Sequence, residues 1–337
     1  MKQIAQEAQV STTLVSQVLN NRDVRVAEST RERILRIAKQ HNYIPNRLAS
    51  GLKLNRTNTL AVLVPFTAVG FFSELIYHIE AYAMERGYIS FIINTSGGKD
   101  KEEKALQLYK SHMMDGFIIA PRNAAAHQPH FEQIQADQFP FVFVDRYVDD
   151  VKATTISSDH YAIASGFVRW LIEKGHRRIL FVQRLDEPGN STIRSRMKAY
   201  VAMMESRGLS VELAGFNAEA DNPPDVVGSL SGFPAADSQP DAIFLASGSY
   251  MPLLLRRCEQ LGYDIKAIDF ATVDGFMFPA DFLLEKRIID GIEANMHMVV
   301  QDPQTIAQKA VDALIDLIDG KEDGKEQIHV PQRCANL

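Results

Sequence analysis

Thr12, Thr13, Ser16 and Gln17 are short polar side chains at helical spacing just after Ser11, and groups of this size and polarity can read base edges in a DNA groove. A second set is charged. Asp145, Arg146, Arg194, Arg196 and Asp274 flank apolar runs, and carboxylates and forked guanidinium groups are the usual grips for sugar hydroxyls, Arg also for phosphate. Catalytic signatures are missing: there is no HExxH and no GxSxG, and Cys258 and Cys334 are isolated, so no metal, no cofactor and no enzymatic activity are expected. Ser96-Gly-Gly-Lys-Asp100 follows a strand-like run but lacks GxxxxGK[ST], and it reads as a turn and helix cap.

The elements that must hold the first set are short helices. Ile4, Ala5 and Ala8 fall at helical spacing, a break follows at Gln9-Val10, and Leu14, Val15, Val18 and Leu19 give a second apolar stripe with Ser11 as its N-cap. A third helix is expected from Ser29, whose Ser-x-x-Glu32 pattern is a capping box, through Ile34, Ile37 and Ala38 toward His41. Burying Val15 and Val18 leaves Thr12, Thr13, Ser16 and Gln17 outside, which is the helix-turn-helix arrangement. A plain three-helix cap is the alternative on spacing alone.

Charge sharpens the contrast. Residues 1 to 60 carry ten Lys or Arg and four Asp or Glu, a net +6, while the rest of the chain carries −12. A basic head on an acidic body suggests a nucleic-acid module joined to something that must avoid DNA. With 46% hydrophobic residues the chain can fill two or more cores, and its longest apolar runs fall short of a membrane helix. The polar start, Met1 to Gln9, and the lone cysteines lead us to expect a cytoplasmic protein with no membrane partner.

From residue 60 short apolar runs alternate with amphipathic stretches: 60–64, helix 73–86, 89–94, helix 101–113, 116–120 and 141–145. A second series follows, with helix 160–174, 179–182, helix 194–206, 242–245, helix 251–261 and 270–273. This βαβ repetition predicts an α/β core of two lobes, each a doubly wound parallel sheet, with a ligand cleft at the carboxyl ends of the strands. Trp170 and the pairs Met113-Met114, Met203-Met204 and Met296/Met298 read as core packing.

Specific motifs go further. The runs Ile4-Ala-Gln-Glu-Ala-Gln-Val-Ser11, Val15-Ser16-Gln-Val18-Leu19-Asn20 and Tyr43-Ile-Pro-Asn-Arg47 with Ala49 and Leu52 closely resemble the headpiece and hinge of the LacI/GalR family of bacterial transcription regulators. The resemblance continues through Val62-Leu-Val-Pro65, Phe71-Phe72, Val144-Asp-Arg146, Gly175-His-Arg-Arg-Ile179 and Asp274, and the segments 41–43, 50–52 and 269–276 lie nearest the sucrose and fructose regulator branch. It implies a two-lobe core like a periplasmic binding protein, crossed three times by the chain. It also implies a short hinge helix whose leucine, here Leu52, levers open a base step in the minor groove. About eight residues interrupted by Gly51 cannot hold a helix alone and would order on DNA; a plain linker with Leu52 against the body is the other possibility.

By the same resemblance the DNA contacts fall on Thr12, Thr13, Ser16, Gln17, Asn20, Arg22, Tyr43, Asn46, Arg47, Ala49 and Leu52. Arg196 and Asp274 match the regular effector contacts, and Phe71 and Phe72 the pair that lines the pocket. Asp145, Arg146, Arg194 and Phe216 join them as candidates, although an ion pair for Arg194 and Asp145 and a core position for Phe216 fit equally. Departures suggest a rewritten pocket: Ser247-Gly248 stands where Asn-Asp is common, Asp302 where a Gln-Pro loop has Gln, Phe66 where the family has Asp, and Val69-Gly70 where it has Asn-Pro.

The expected domains are a headpiece at 1–45, a hinge at 46–58, a first lobe at 59–156 with 303–322, and a second lobe at 157–302 with 323–337. The expected protein is a DNA-binding regulator, a repressor, that acts as a homodimer on a near-palindromic double-stranded operator and answers to a small sugar or sugar-phosphate effector. The rivals are a regulator answering to a protein co-regulator and a sugar-binding module without DNA function.

Overall fold

The computed structural model describes the chain except residues 20–23, 42, 44–55, 66–69, 96–98, 122–127, 186–189, 217–229, 276–291, 322–325 and 333–337. Asn20, Arg22, Asn46, Arg47, Ala49, Leu52, Phe66, Val69, the Ser96 turn and Cys334 lie outside the described residues, as does the side chain of Phe216. Two compact units form, Met1–Thr57 and Asn58–Leu337.

In the head, α1 (Lys2–Glu7), α2 (Thr12–Leu19) and α3 (Glu28–Gln40) enclose Ile4, Ala8, Val15, Val18, Ile34 and Ile37. The tight turn between α1 and α2 puts Gln9 at φ +52, in the left-handed region. Ser11 Oγ accepts from the Leu14 amide at 3.1 Å, as its N-cap spacing predicts. The capping box at Ser29 does not form. Instead α3 starts at Glu28 after Ala27, with no side-chain cap, and Glu28 supplies the first-turn negative charge.

The body begins with β1 (Thr59–Val64), whose six residues are all buried because both faces of its sheet are covered. Leu60, Val62 and Val64 enter one core, packed by α4 (Phe71–Glu85), while Ala61 and Leu63 point into the other, with Phe117, Phe131 and Phe143. Then follow β2 (Ile89–Asn94), α5 (Lys99–Leu106), β3 (Gly116–Ile119), α6 (Pro129–Ala136), β4 (Phe141–Val144) and β5 (Thr155–Ser158). The expected helix 101–113 is shorter: a 3-10 turn, Gln107–Ser111, replaces its end, and Met113 is exposed while Met114 is buried.

The second series is α7 (His160–Lys174), β6 (Ile179–Arg184), α8 (Ser191–Ser206), β7 (Glu212–Phe216), β8 (Leu230–Ser231), β9 (Ala242–Leu245), α9 (Met251–Leu261), β10 (Asp269–Val273) and β11 (Met296–Val299). Two further elements close the chain, α10 (Pro303–Ile318) and β12 (Gln327–Val330). The first sheet runs β12-β5-β4-β3-β1-β2 and the second β11-β10-β9-β6-β7-β8, all parallel except β7-β8. Helix α10 returns to the first lobe, setting Ile306, Ala310 and Leu314 against Leu75 and Ile79 of α4. Strand β12 departs from the expected division, which placed 323–337 in the second lobe. It pairs with β5 at the edge of the first sheet, Gln327 opposite Thr155, because the half-buried Ile328 and buried Val330 join the first-lobe core.

Tyr200 shows what ties the second lobe together. Its ring stacks on Phe181 at 5.3 Å, and its buried hydroxyl bonds the Ile179 carbonyl at 2.7 Å and accepts from the Glu212 amide at 2.9 Å, bridging β6 and β7. Tyr200→Phe leaves those backbone groups short of a partner, so we expect a loss of about 1–3 kcal/mol, read as a lower urea midpoint at unchanged slope.

Candidate functional site

In α2, Thr12 and Thr13 are exposed, Ser16 and Gln17 half-buried, and Val15 and Val18 buried, so the polar set lies on the outer side of the helix. Tyr43 is half-buried against the head core, with its amide on the Ala38 carbonyl at 2.9 Å.

The body site is built on an internal repetition. Strands β5-β4-β3-β1-β2 of the first sheet correspond in order to β11-β10-β9-β6-β7 of the second. Asp145 follows β4 and Asp274 follows the equivalent β10, and both take left-handed backbone angles, φ +62 and +67. Each amide pairs with the neighbouring strand: Asp145 N–H donates to the Ile156 carbonyl and Asp274 N–H to that of Val299. Aspartate tolerates this conformation, and such strained carboxylates at strand ends are typical of binding sites. The helices that follow repeat as well, for Asp159 caps α7 through the Ala162 amide and Asp302 caps α10 through the Thr305 amide. Asp302, expected at the effector, thus has a capping role, with its other oxygen accepting from Thr305 Oγ1 at 2.8 Å.

The residue that meets both strand-end carboxylates is Gln301. Its Nε2 donates to Asp145 Oδ1 at 3.3 Å and to Asp274 Oδ2 at 2.9 Å. Gln301 stands one position before Asp302, the cap of α10. Arg196 is buried: Nη1 donates to the Ala246 carbonyl at 2.6 Å, and Nη2 lies 3.1 Å from His160 Nδ1 and 3.6 Å from Asp274 Oδ2. His160 Nε2 lies 3.4 Å from Asp145 Oδ1. Neither Gln301 nor His160 was singled out from sequence; the only signal for His160 was a titratable group at the first position of a strand-following helix.

Around them, Arg146 Nε is 3.5 Å from Asp145 Oδ2 and its guanidinium stands 5.4 Å over the Phe72 ring, which meets Phe71 edge-on. Arg194 takes the ion-pair alternative, 2.6 Å from Asp149, and beside it Ser191 Oγ accepts from the Tyr147 amide. Ser247 caps the turn Gly248–Tyr250. Burial alone would push the Asp145 carboxyl up, but His160, Arg146 and Arg196 outweigh it and hold it below the usual range. Burial pushes the Asp274 carboxyl up, and Asp145 adds to this against the pull of Arg196 and Gln301.

Five buried polar atoms of this cluster have no hydrogen-bond partner among the described residues: Arg146 Nε, His160 Nε2, Arg196 Nε, Asp274 Oδ1 and Gln301 Oε1. Such atoms are rare in native proteins, and five of them gathered at the strand ends form a mixed set of donors and acceptors that a polar ligand could complete. Among the described residues no group of three or more His, Cys, Asp or Glu could hold a metal ion, and no helix is long and apolar enough to cross a membrane.

Residues 1–46 match the model for bacterial regulatory proteins of the lacI family, and residues 60–322 that of a periplasmic binding protein domain. The ribose operon repressor of Escherichia coli (strain K12) is 30% identical over 292 residues, covering 83% of this chain and 85% of that protein. The HTH-type transcriptional repressor PurR of Haemophilus influenzae (strain PittGG) is 25% identical over 335 residues, with 97% and 93% covered. Among solved structures, the lac repressor dimer bound to operator and the anti-inducer ONPF has a TM-score of 0.74 at 19% identity, covering 98% of this chain and 95% of that one, a likeness of fold.

Proposed function

The chain belongs to the lacI family of bacterial regulatory proteins, and on that premise we propose that it is a cytoplasmic, sequence-specific DNA-binding repressor whose operator affinity is set by a small sugar or sugar-phosphate effector held between the lobes. Its role is binding rather than catalysis. The observation that carries the effector reading is the set of five unpartnered buried atoms, which includes both donors and acceptors. A sugar hydroxyl donates and accepts at once and suits such a mixture. A phosphate placed between Asp145 and Asp274 would meet two carboxyl groups, so within this class the site favours the neutral sugar.

The DNA partner is a near-palindromic duplex bound by a homodimer, because one short recognition helix makes too few base contacts for useful specificity. An apolar surface suits the dimer: Ile89, Phe91 and Ile92 on edge strand β2, with Tyr77 and Met84 on α4, are all exposed. Phe91→Lys is expected to shift light scattering toward the monomer and to weaken operator binding with it; an unaltered dimer would remove this face from the assembly.

Selection of the full chain against random DNA, with calorimetry against D-ribose, D-fructose and their phosphates, tests the whole reading. A symmetric half-site pair and a sugar that alters DNA affinity are expected; selection without a consensus would sink the DNA half, and a wholly silent panel the sugar half. Gln17 then offers a finer test, since Gln pairs best with adenine and Arg with guanine. Gln17→Arg should change one position of each half-site by about 1–3 kcal/mol of discrimination, and the same consensus from both proteins would take Gln17 out of the readout.

A further inference from the structure

Arg196 always donates, so the 3.1 Å contact between its Nη2 and His160 Nδ1 requires Nδ1 to carry the lone pair. The proton of the neutral imidazole is then on Nε2, the nitrogen 3.4 Å from Asp145 Oδ1. Asp145, His160 and Arg196 form a single relay with a fixed tautomer, hydrogen-bonded at its Arg196 end and electrostatic at its Asp145 end, where Nε2–H faces the carboxylate without bonding it and stays available to a ligand. It starts on the strand end of the first lobe and finishes on the guanidinium of the second.

We propose that His160 is a proton-sensitive positioning residue: neutral, it holds Arg196 toward the effector, and protonated, it releases Arg196 and weakens effector binding. The inference rests on the effector reading above. Protonation puts an N–H on Nδ1, where it faces the N–H of Arg196, and the hydrogen bond becomes a contact between two cations. Arg196 has somewhere to go, because Asp274 Oδ2 is 3.6 Å from the same Nη2, just outside bonding range. Turning to Asp274 withdraws the guanidinium from the position the relay fixed. The other groups facing the imidazole pull in opposite directions. Asp145 and Asp274 are the carboxyls around it and Arg196 the cation, while Arg146 faces Asp145 and Gln301 ties Asp145 to Asp274, so that a proton at His160 is felt at both strand ends.

Two measurements on the full chain test this. Histidine-selective 15N NMR, with the His160 signal identified by its loss in either His160→Asn or His160→Gln, should show the Nε2–H tautomer at alkaline pH; an Nδ1–H tautomer overturns the relay. Calorimetry with D-ribose and D-fructose between about pH 8 and about pH 5 should show roughly a tenfold or greater loss of affinity on acidification, the size expected for one charge-assisted hydrogen bond. Asparagine at 160 keeps an acceptor for Arg196 but cannot be protonated, so His160→Asn should lose the histidine's share of the acid-side fall and keep only the slope that Asp274, common to both proteins, contributes. A merely structural histidine would leave both proteins with one profile, and that result overturns the proposal. If neither sugar binds, the sugar reading fails, and the tautomer alone decides whether the relay exists.

Discussion

Arg196→Met is expected to abolish the effector response while operator selection survives. The guanidinium is the common partner of the site: it bonds the Ala246 carbonyl, reaches the imidazole of His160 and stands beside the carboxyl of Asp274. Methionine fills much of the volume but supplies none of these donors. Asp274 then loses its nearest cation, and its carboxyl, already pushed up by burial, moves further toward the neutral acid. Removing one member of a buried charged pair costs about 3–5 kcal/mol, and an effector that depends on it should lose at least about a hundredfold in affinity. DNA recognition should persist because Met1–Thr57 is a compact unit with its own core. The check is operator binding with and without sugar, alongside a thermal melt. Should Arg196→Met unfold the body, Arg196→Lys keeps the charge and loses the fork, and it should still lose most of the response. A Lys variant that answers at the parent's sugar concentration would show that the forked geometry plays no part.

Much of the fold was legible because its signals are local. Helix 160–174 has the boundaries expected from its periodicity, since Asp159 caps its start and Gly175, at φ +111, its end. Helix 251–261 ends before Gly262 for the same reason. The failures are of another kind. Strand β12 reads like any short apolar run, and only its pairing with β5 decides which lobe owns it. The capping box at Ser29 is a valid local pattern that lost to an earlier start at Glu28. Within the site, Arg196 and Asp274 were found through family spacing and do lie together. Gln301 and His160 act through partners 156 and 36 residues away in sequence, and no periodicity announces such a contact. For Arg194 the sequence allows both effector grip and ion pair, and only the fold, which brings Asp149 within 2.6 Å of it, selects the ion pair.

The Ser247-Gly248 step, a departure from the family pattern, carries the second large effect. A Cβ on Gly248 would lie 2.0 Å from the Gly275 carbonyl oxygen and 3.0 Å from that of Asp274. Both obstacles are backbone, and Asp274 is already held in a left-handed conformation, so no flexible side chain can give way. Gly248 is therefore the residue that lets the segment carrying the site's second carboxylate come close to the end of β9. Gly248→Ala should cost about 3 kcal/mol, the upper part of the range for overpacking, and Gly248→Asp, the common family residue, should cost more. Because the strain is relieved by moving Asp274, the alanine variant should also lose effector affinity under conditions where it remains folded. Gly262 provides the contrast: it has φ +73 with nothing within 4 Å of an added Cβ, so Gly262→Ala bears only a left-handed backbone cost of about 1–2 kcal/mol. Urea midpoints of the two variants, with calorimetry on each, separate the cases. Equal destabilisation, or Gly248→Ala binding sugar like the parent, would mean that this close approach does not set the position of Asp274.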